Sequence, residues 1–163
     1  MKRFLATALL MGVIGAQIPQ ETVIPDGAYG IWQCPSLCTN SPLYWSEGTG
    51  QSIVDKPNAA CIRWYGDGYL IADHANSTVD GGVWNVNDMR VGEDAFLITK
   101  DGIKRYECIA IYLVERQTYD YIWQGKAVRP KKHDIVCASC SIADGVDFLA
   151  YYKFVKVEDF GGD

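Results

Sequence analysis

Residues 105–115 read RYECIAIYLVE, and this run decides the fold class. Cys108, Ala110, Tyr112 and Val114 alternate with Ile109, Ile111 and Leu113, so both faces of an extended chain here are apolar. A strand apolar on both sides is covered on both sides and belongs inside a sheet. Before it, Asp94–Lys100 (DAFLITK) leads into Asp101-Gly102, a hairpin-turn dipeptide. After it, Tyr119, Tyr121 and Trp123 alternate with Asp120, Ile122 and Gln124. Asp134–Ala138 and Asp147–Val157 are two further strand candidates.

Upstream, the same signals recur. Cys61–Tyr65 and Tyr69–Asp73 flank Gly66-Asp67-Gly68, whose glycines allow the positive φ of a tight turn. Gly27–Gln33 and Gly82–Val86 bring the candidates to nine strands. Thr39–Ala59 reads as a long polar connection in which Leu43, Tyr44 and Trp45 pack down. No stretch carries a sustained helical period, so crossover helices for a parallel α/β sheet are absent. The expected fold is all-β: a single antiparallel β-barrel or a β-sandwich.

Residues 1–16 have the form of a signal peptide. Lys2 and Arg3 precede the apolar run Phe4–Ile14, and Gly15-Ala16 offers a cleavage point. The run is too short to span a bilayer. The expected organisation is a signal peptide over 1–16 and one secreted all-β domain over 17–163. Removing Lys2 and Arg3 takes the formal net charge from −5 to −7. An acidic surface repels phosphate backbones, which argues against nucleic acid as a partner.

Cys34, Cys38, Cys61, Cys108, Cys137 and Cys140 form an even set. In an exported chain such a set is expected to form disulfide staples, with the pairing open among 15 connectivities. Cys34-x3-Cys38 and Cys137-x2-Cys140 would suit a zinc site in a cytosolic chain, but not behind a signal peptide. Asn76-Ser77-Thr78 is a glycosylation acceptor.

Gly30-Ile31-Trp32 on the first strand, followed far downstream by Tyr119-Asp120-Tyr121, resembles the lipocalin family. That resemblance implies a barrel with Trp32 closing its floor and a small apolar ligand carried inside. The aromatic content, with 5 Trp, 10 Tyr and 5 Phe, supports a lined pocket. Trp32, Trp84 and Tyr121 are the expected ligand-binding residues.

Catalytic motifs are scarce. His74 and His133 are the only histidines, and His74 follows Asp73 directly, so on a strand the two face opposite ways. No nucleophile elbow, zinc-binding helix or phosphate loop occurs. Asn85, Asn87, Asp88, Glu93 and Asp94 offer oxygens to calcium without the order of a calcium loop. Lys126, Arg129, Lys131, Lys132 and His133 form a basic segment suited to a sulfated sugar or acidic partner. The expectation is a secreted, non-enzymatic binding protein without catalytic residues, metal or cofactor. An extracellular structural module binding glycan or protein is the second reading, and a small secreted hydrolase the third.

Overall fold

RYECIAIYLVE lies within β6 (Gly102–Gln117), the longest strand in a computed structural model that describes residues 21–37, 39–73, 89–117, 120–140 and 146–155. The remaining elements, in chain order, are β1 (Gly30–Cys34), β2 (Thr39–Trp45), the single-turn α1 (Gln51–Val54), β3 (Ala60–Tyr65), β4 (Gly68–Asp73) and β5 (Asp94–Thr99) before β6. After it come β7 (Asp120–Trp123), β8 (Lys126–Ala127), β9 (Ile135–Cys140) and β10 (Val146–Val155). The strands hydrogen-bond in the order β10-β9-β4-β3-β2-β1-β5-β6, and β6 pairs back onto β10. That last pairing closes an eight-stranded barrel. The β7–β8 hairpin extends from β6 outside the closed ring.

The expected barrel is therefore realised, but not every pair in it is antiparallel. β2 and β3 run parallel, joined by a crossover that includes α1. β4 and β9 also run parallel. Thr39–Trp45, read from sequence as part of a loop, is a strand because Thr39 and Ser41 are buried despite their polarity. The expected strand at Gly82–Val86 lies outside the described residues.

In β6 the alternation is interrupted. Tyr151 pairs with Ala110 while Tyr152 pairs with Cys108, leaving Ile109 as the extra residue of a β-bulge. Tyr106 and Cys108 therefore enter the main core with Ile111, whereas Ala110, Tyr112 and Val114 join a second apolar cluster. Ile109 and Leu113 are left exposed.

The barrel interior is filled by side chains, as eight strands permit. Trp32 is wholly buried, its ring centroid 5.5 Å from that of Tyr106 and 5.1 Å from that of Tyr152. Leu43, Ile62, Ile71, Leu97 and Ile135 fill the space around them. Trp32 is thus a core residue rather than the wall of a ligand chamber. Trp84 lies outside the described residues. Tyr121 is half-buried, edge-on to Tyr65 with centroids 6.0 Å apart, in the second cluster.

Disulfide stapling is also corrected among the described residues, outside which Cys38 lies. Cys34, Cys61, Cys108 and Cys137 are buried free thiols, each on a strand whose register fixes its place. Cys34 Sγ lies 3.4 Å from the Tyr152 hydroxyl. Burial pushes Cys34 up to about 12 and Cys108 to about 11 from an ordinary value of 9.0, and holds Cys137 well above it. The folded chain thus keeps protons that the unfolded chain releases above about pH 9. The stability carried by these thiols is complete below about pH 9 and is lost as pH rises through their folded values near 11 to 12. Urea unfolding should show a midpoint that falls from about pH 8 to about pH 10. A constant midpoint across that interval would contradict buried reduced thiols.

Candidate functional site

The parallel pair β4 and β9 organises one end of the barrel. Tyr69, Leu70, Ile71, Ala72 and Asp73 stand opposite Ile135, Val136, Cys137, Ala138 and Ser139 in register. Apolar residues hold this register, because Ile71 and Cys137 face the main core while Leu70, Val136 and Ala138 face the second cluster. A slip by one residue would turn both sets inside out. Neighbouring strands are about 4.8 Å apart, so the last paired residues, Asp73 and Ser139, are neighbours. The next residue of the chain is His74 on one side and Cys140 on the other.

On the far side of β9, Cys140 stands opposite Asp147 of β10. Asp73, Ser139 and Asp147 are all buried. The Ser139 hydroxyl finds no hydrogen-bond partner among the described residues. By register Asp73 and Ser139 share the main-core face at this end of the barrel, and Asp147 lies on the opposite face of the sheet. His74 itself lies outside the described residues, as do Asn76, Tyr119 and the Asn85–Asp88 oxygens. Of the other calcium candidates, Asp94 is bound by Arg105 at 2.9 Å and Glu93 accepts the Arg90 N–H at 3.1 Å. No cluster of three or more His, Cys, Asp and Glu groups is placed to hold a metal among the described residues.

Sequence reasoning missed the pairing of the segments that end at Asp73 and Ser139, because a strand ladder brings them together and spacing does not. The hint was two apolar runs, LIAD and IVCAS, each followed directly by a reactive residue. Reading Cys137 and Cys140 together as a close pair hid the difference between them. Cys137 is in the core, and Cys140 ends its strand.

The fold places the chain among sortase-like barrels. Sortase C1 of Streptococcus agalactiae superposes with a TM-score of 0.61 at 14% identity, over 81% of this chain and 69% of that one. A lid mutant of sortase A from Corynebacterium diphtheriae gives 0.63 at 16%, over 86% and 76%. Sortase C of Streptococcus pneumoniae gives 0.63 at 16%, over 80% and 69%. No protein-family model matches the sequence, and no curated protein matches it. At such identities the likeness is one of fold.

These neighbours correct the expected resemblance to lipocalins. They also overturn the reading of a non-enzymatic carrier, since sortases are cysteine transpeptidases. The short Gly-x-Trp motif that suggested a lipocalin serves here as ordinary core packing. Its glycine lets the β1 backbone approach β5, where a Cβ at Gly30 would collide with the Ile98 carbonyl.

Proposed function

We propose that this protein is a cysteine-dependent acyl-transfer enzyme acting on peptide bonds, with Cys140 as nucleophile and His74 as its proton acceptor and donor. The observation that carries the reading is the Asp73–Ser139 register of the parallel pair, one residue short of both groups. That register, continued by one step, would bring positions 74 and 140 side by side. A free thiol is a weak nucleophile until a base or a positive neighbour yields the thiolate, and histidine supplies both.

In the reaction the thiolate of Cys140 attacks the scissile carbonyl carbon, and a tetrahedral oxyanion forms. Its collapse breaks the C–N bond, and the imidazolium of His74 protonates the departing amine. A thioester remains. A second amine, or water, then attacks the thioester carbon and gives its proton to the imidazole, and the C–S bond breaks to release the thiolate and restore the starting ion pair. An amine acceptor makes the enzyme a transpeptidase, as the sortases of the same fold are.

Action on a peptide substrate suits an exported protein, and the signal-peptide reading of residues 1–16 belongs with this proposal. No helix among the described residues is long and apolar enough to cross a membrane. The test is a library of internally quenched fluorescent peptides, assayed with and without an added primary amine. Cleavage that iodoacetamide abolishes, together with amine-linked product detected by mass spectrometry, is the expected result. Cleavage insensitive to thiol alkylation would refute the reading.

A further inference from the structure

We propose that a groove on the outer side of the barrel, between β6, β10 and the β7–β8 hairpin, docks an acidic, aromatic-bearing segment of a partner protein in extended form. The groove encloses about 410 Å³ and is separate from the β4–β9 end. Its apolar wall is Tyr112 and Trp123, whose ring centroids are 5.0 Å apart, with the exposed bulge residue Ile109 beside them. Its cations are Lys126, Lys131 and Lys153, all exposed. None of the three has a carboxylate partner among the described residues.

Three lysines outnumber the unpaired carboxylates nearby, which are Asp134 in the lining and Glu107 opposite Lys153 across the β6–β10 ladder. Asp120 is bound by Arg129 at 3.0 Å. Asp134, buried, accepts the Tyr151 hydroxyl at 2.8 Å and the Phe154 N–H at 3.0 Å. The Lys131 N–H donates in turn to the Tyr151 hydroxyl at 3.0 Å, which fixes the loop carrying that lysine. Gly68 seats the loop, because a Cβ there would collide with the carbonyls of Asp134 and Lys131. On a chain of net charge −5, a rigidly held cationic groove selects for anions.

Two features favour a peptide over a small anion or a sulfated sugar. The volume is far larger than a phosphate needs, and half of the lining is aromatic or aliphatic, which rewards apolar side chains interleaved with acidic ones. β8 is also the terminal strand of the sheet order, so its outer backbone edge is open to a further extended chain. The hairpin that presents this edge closes in a tight two-residue turn, with Gln124 and Gly125 both at positive φ (49° and 75°).

The experiment uses the full-length mature protein and a fluorescein-labelled peptide of alternating glutamate and phenylalanine, read by anisotropy. Binding is expected, falling as salt rises, and at least about tenfold weaker in a Lys131→Glu, Lys153→Glu double variant. Trp123→Ala should weaken it independently of salt. A Cys140→Ala variant should bind as tightly as wild type, which separates this groove from the proposed reaction. Absence of binding, unchanged binding in the double variant, or capture of heparin in preference to the peptide would overturn the proposal.

Discussion

Cys140→Ala is expected to lower peptide cleavage and transfer by about four to six orders of magnitude, the usual cost of deleting a catalytic nucleophile. His74→Ala should cost about two to four orders, because a thiol without its base still ionises slightly at neutral pH. Cys137→Ala provides the internal control. Cys137 is wholly buried and its thiol is held well above its ordinary value, so it is no nucleophile at neutral pH. Its loss should reduce stability modestly and leave the rate per folded molecule intact. Alkylation mapped by mass spectrometry follows the same logic. In the native protein iodoacetamide should modify Cys140 well before Cys34, Cys108 or Cys137, and the order should collapse in urea. Activity surviving in Cys140→Ala would remove the nucleophile from the account.

Trp32→Ala should have the largest effect on stability, costing about 3–5 kcal/mol. The indole is wholly buried against Tyr106 and Tyr152, and both rings lose their partner at once. A loss of that size is a large fraction of the about 5–15 kcal/mol that holds a typical domain together. Trp32→Phe should cost much less, about 1.5 kcal/mol or under, for two reasons. A phenyl ring keeps most of the packing, and the indole N–H it removes has no acceptor in the core. Chemical denaturation of the three proteins checks the order. A stable Trp32→Ala protein that binds a lipophile no better than wild type would contradict a solid, Trp-centred core.

The physical reasons behind these two expectations differ in how far the sequence reveals them. Hairpins are local, and the turns at Gly66-Asp67-Gly68 and Asp101-Gly102 give away β3–β4 and β5–β6. The central place of Arg105–Glu115 was also legible, because both of its faces are apolar and it bridges β5 and β10. Its bulge at Ile109 was not, since an extra residue is set by the partner strand. β2 was hidden by composition: Thr-Asn-Ser-Pro reads as loop, yet the burial of Thr39 and Ser41 beneath their neighbours makes it a strand.

The site was hidden by topology. The β4–β9 pairing joins strands separated by four intervening ones in the chain, and nothing in either segment names the other. Adjacent residues on one strand face apart, and for Asp73 and His74 that expectation argued against catalysis. In the proposed site the relevant neighbour of position 74 is across the ladder. The cysteines were misread for a related reason. Their even number suggests staples, but Cys34, Cys108 and Cys137 serve as small apolar fillers of the core. The basic segment at Lys126–His133 was found by charge alone, while Tyr112 and Ile109, which face it beside Trp123, come from the distant β6.

Proximity of positions 74 and 140 is the central claim, and cross-linking measures it directly. A disulfide requires Cα atoms within about 4.4–6.8 Å, a span that adjacent positions on paired strands satisfy. Mild oxidation of a His74→Cys variant, followed by proteolysis and mass spectrometry, should yield a bridge between the peptides containing positions 74 and 140. A thiol at position 74 that stays free, or that bridges elsewhere, would contradict the site.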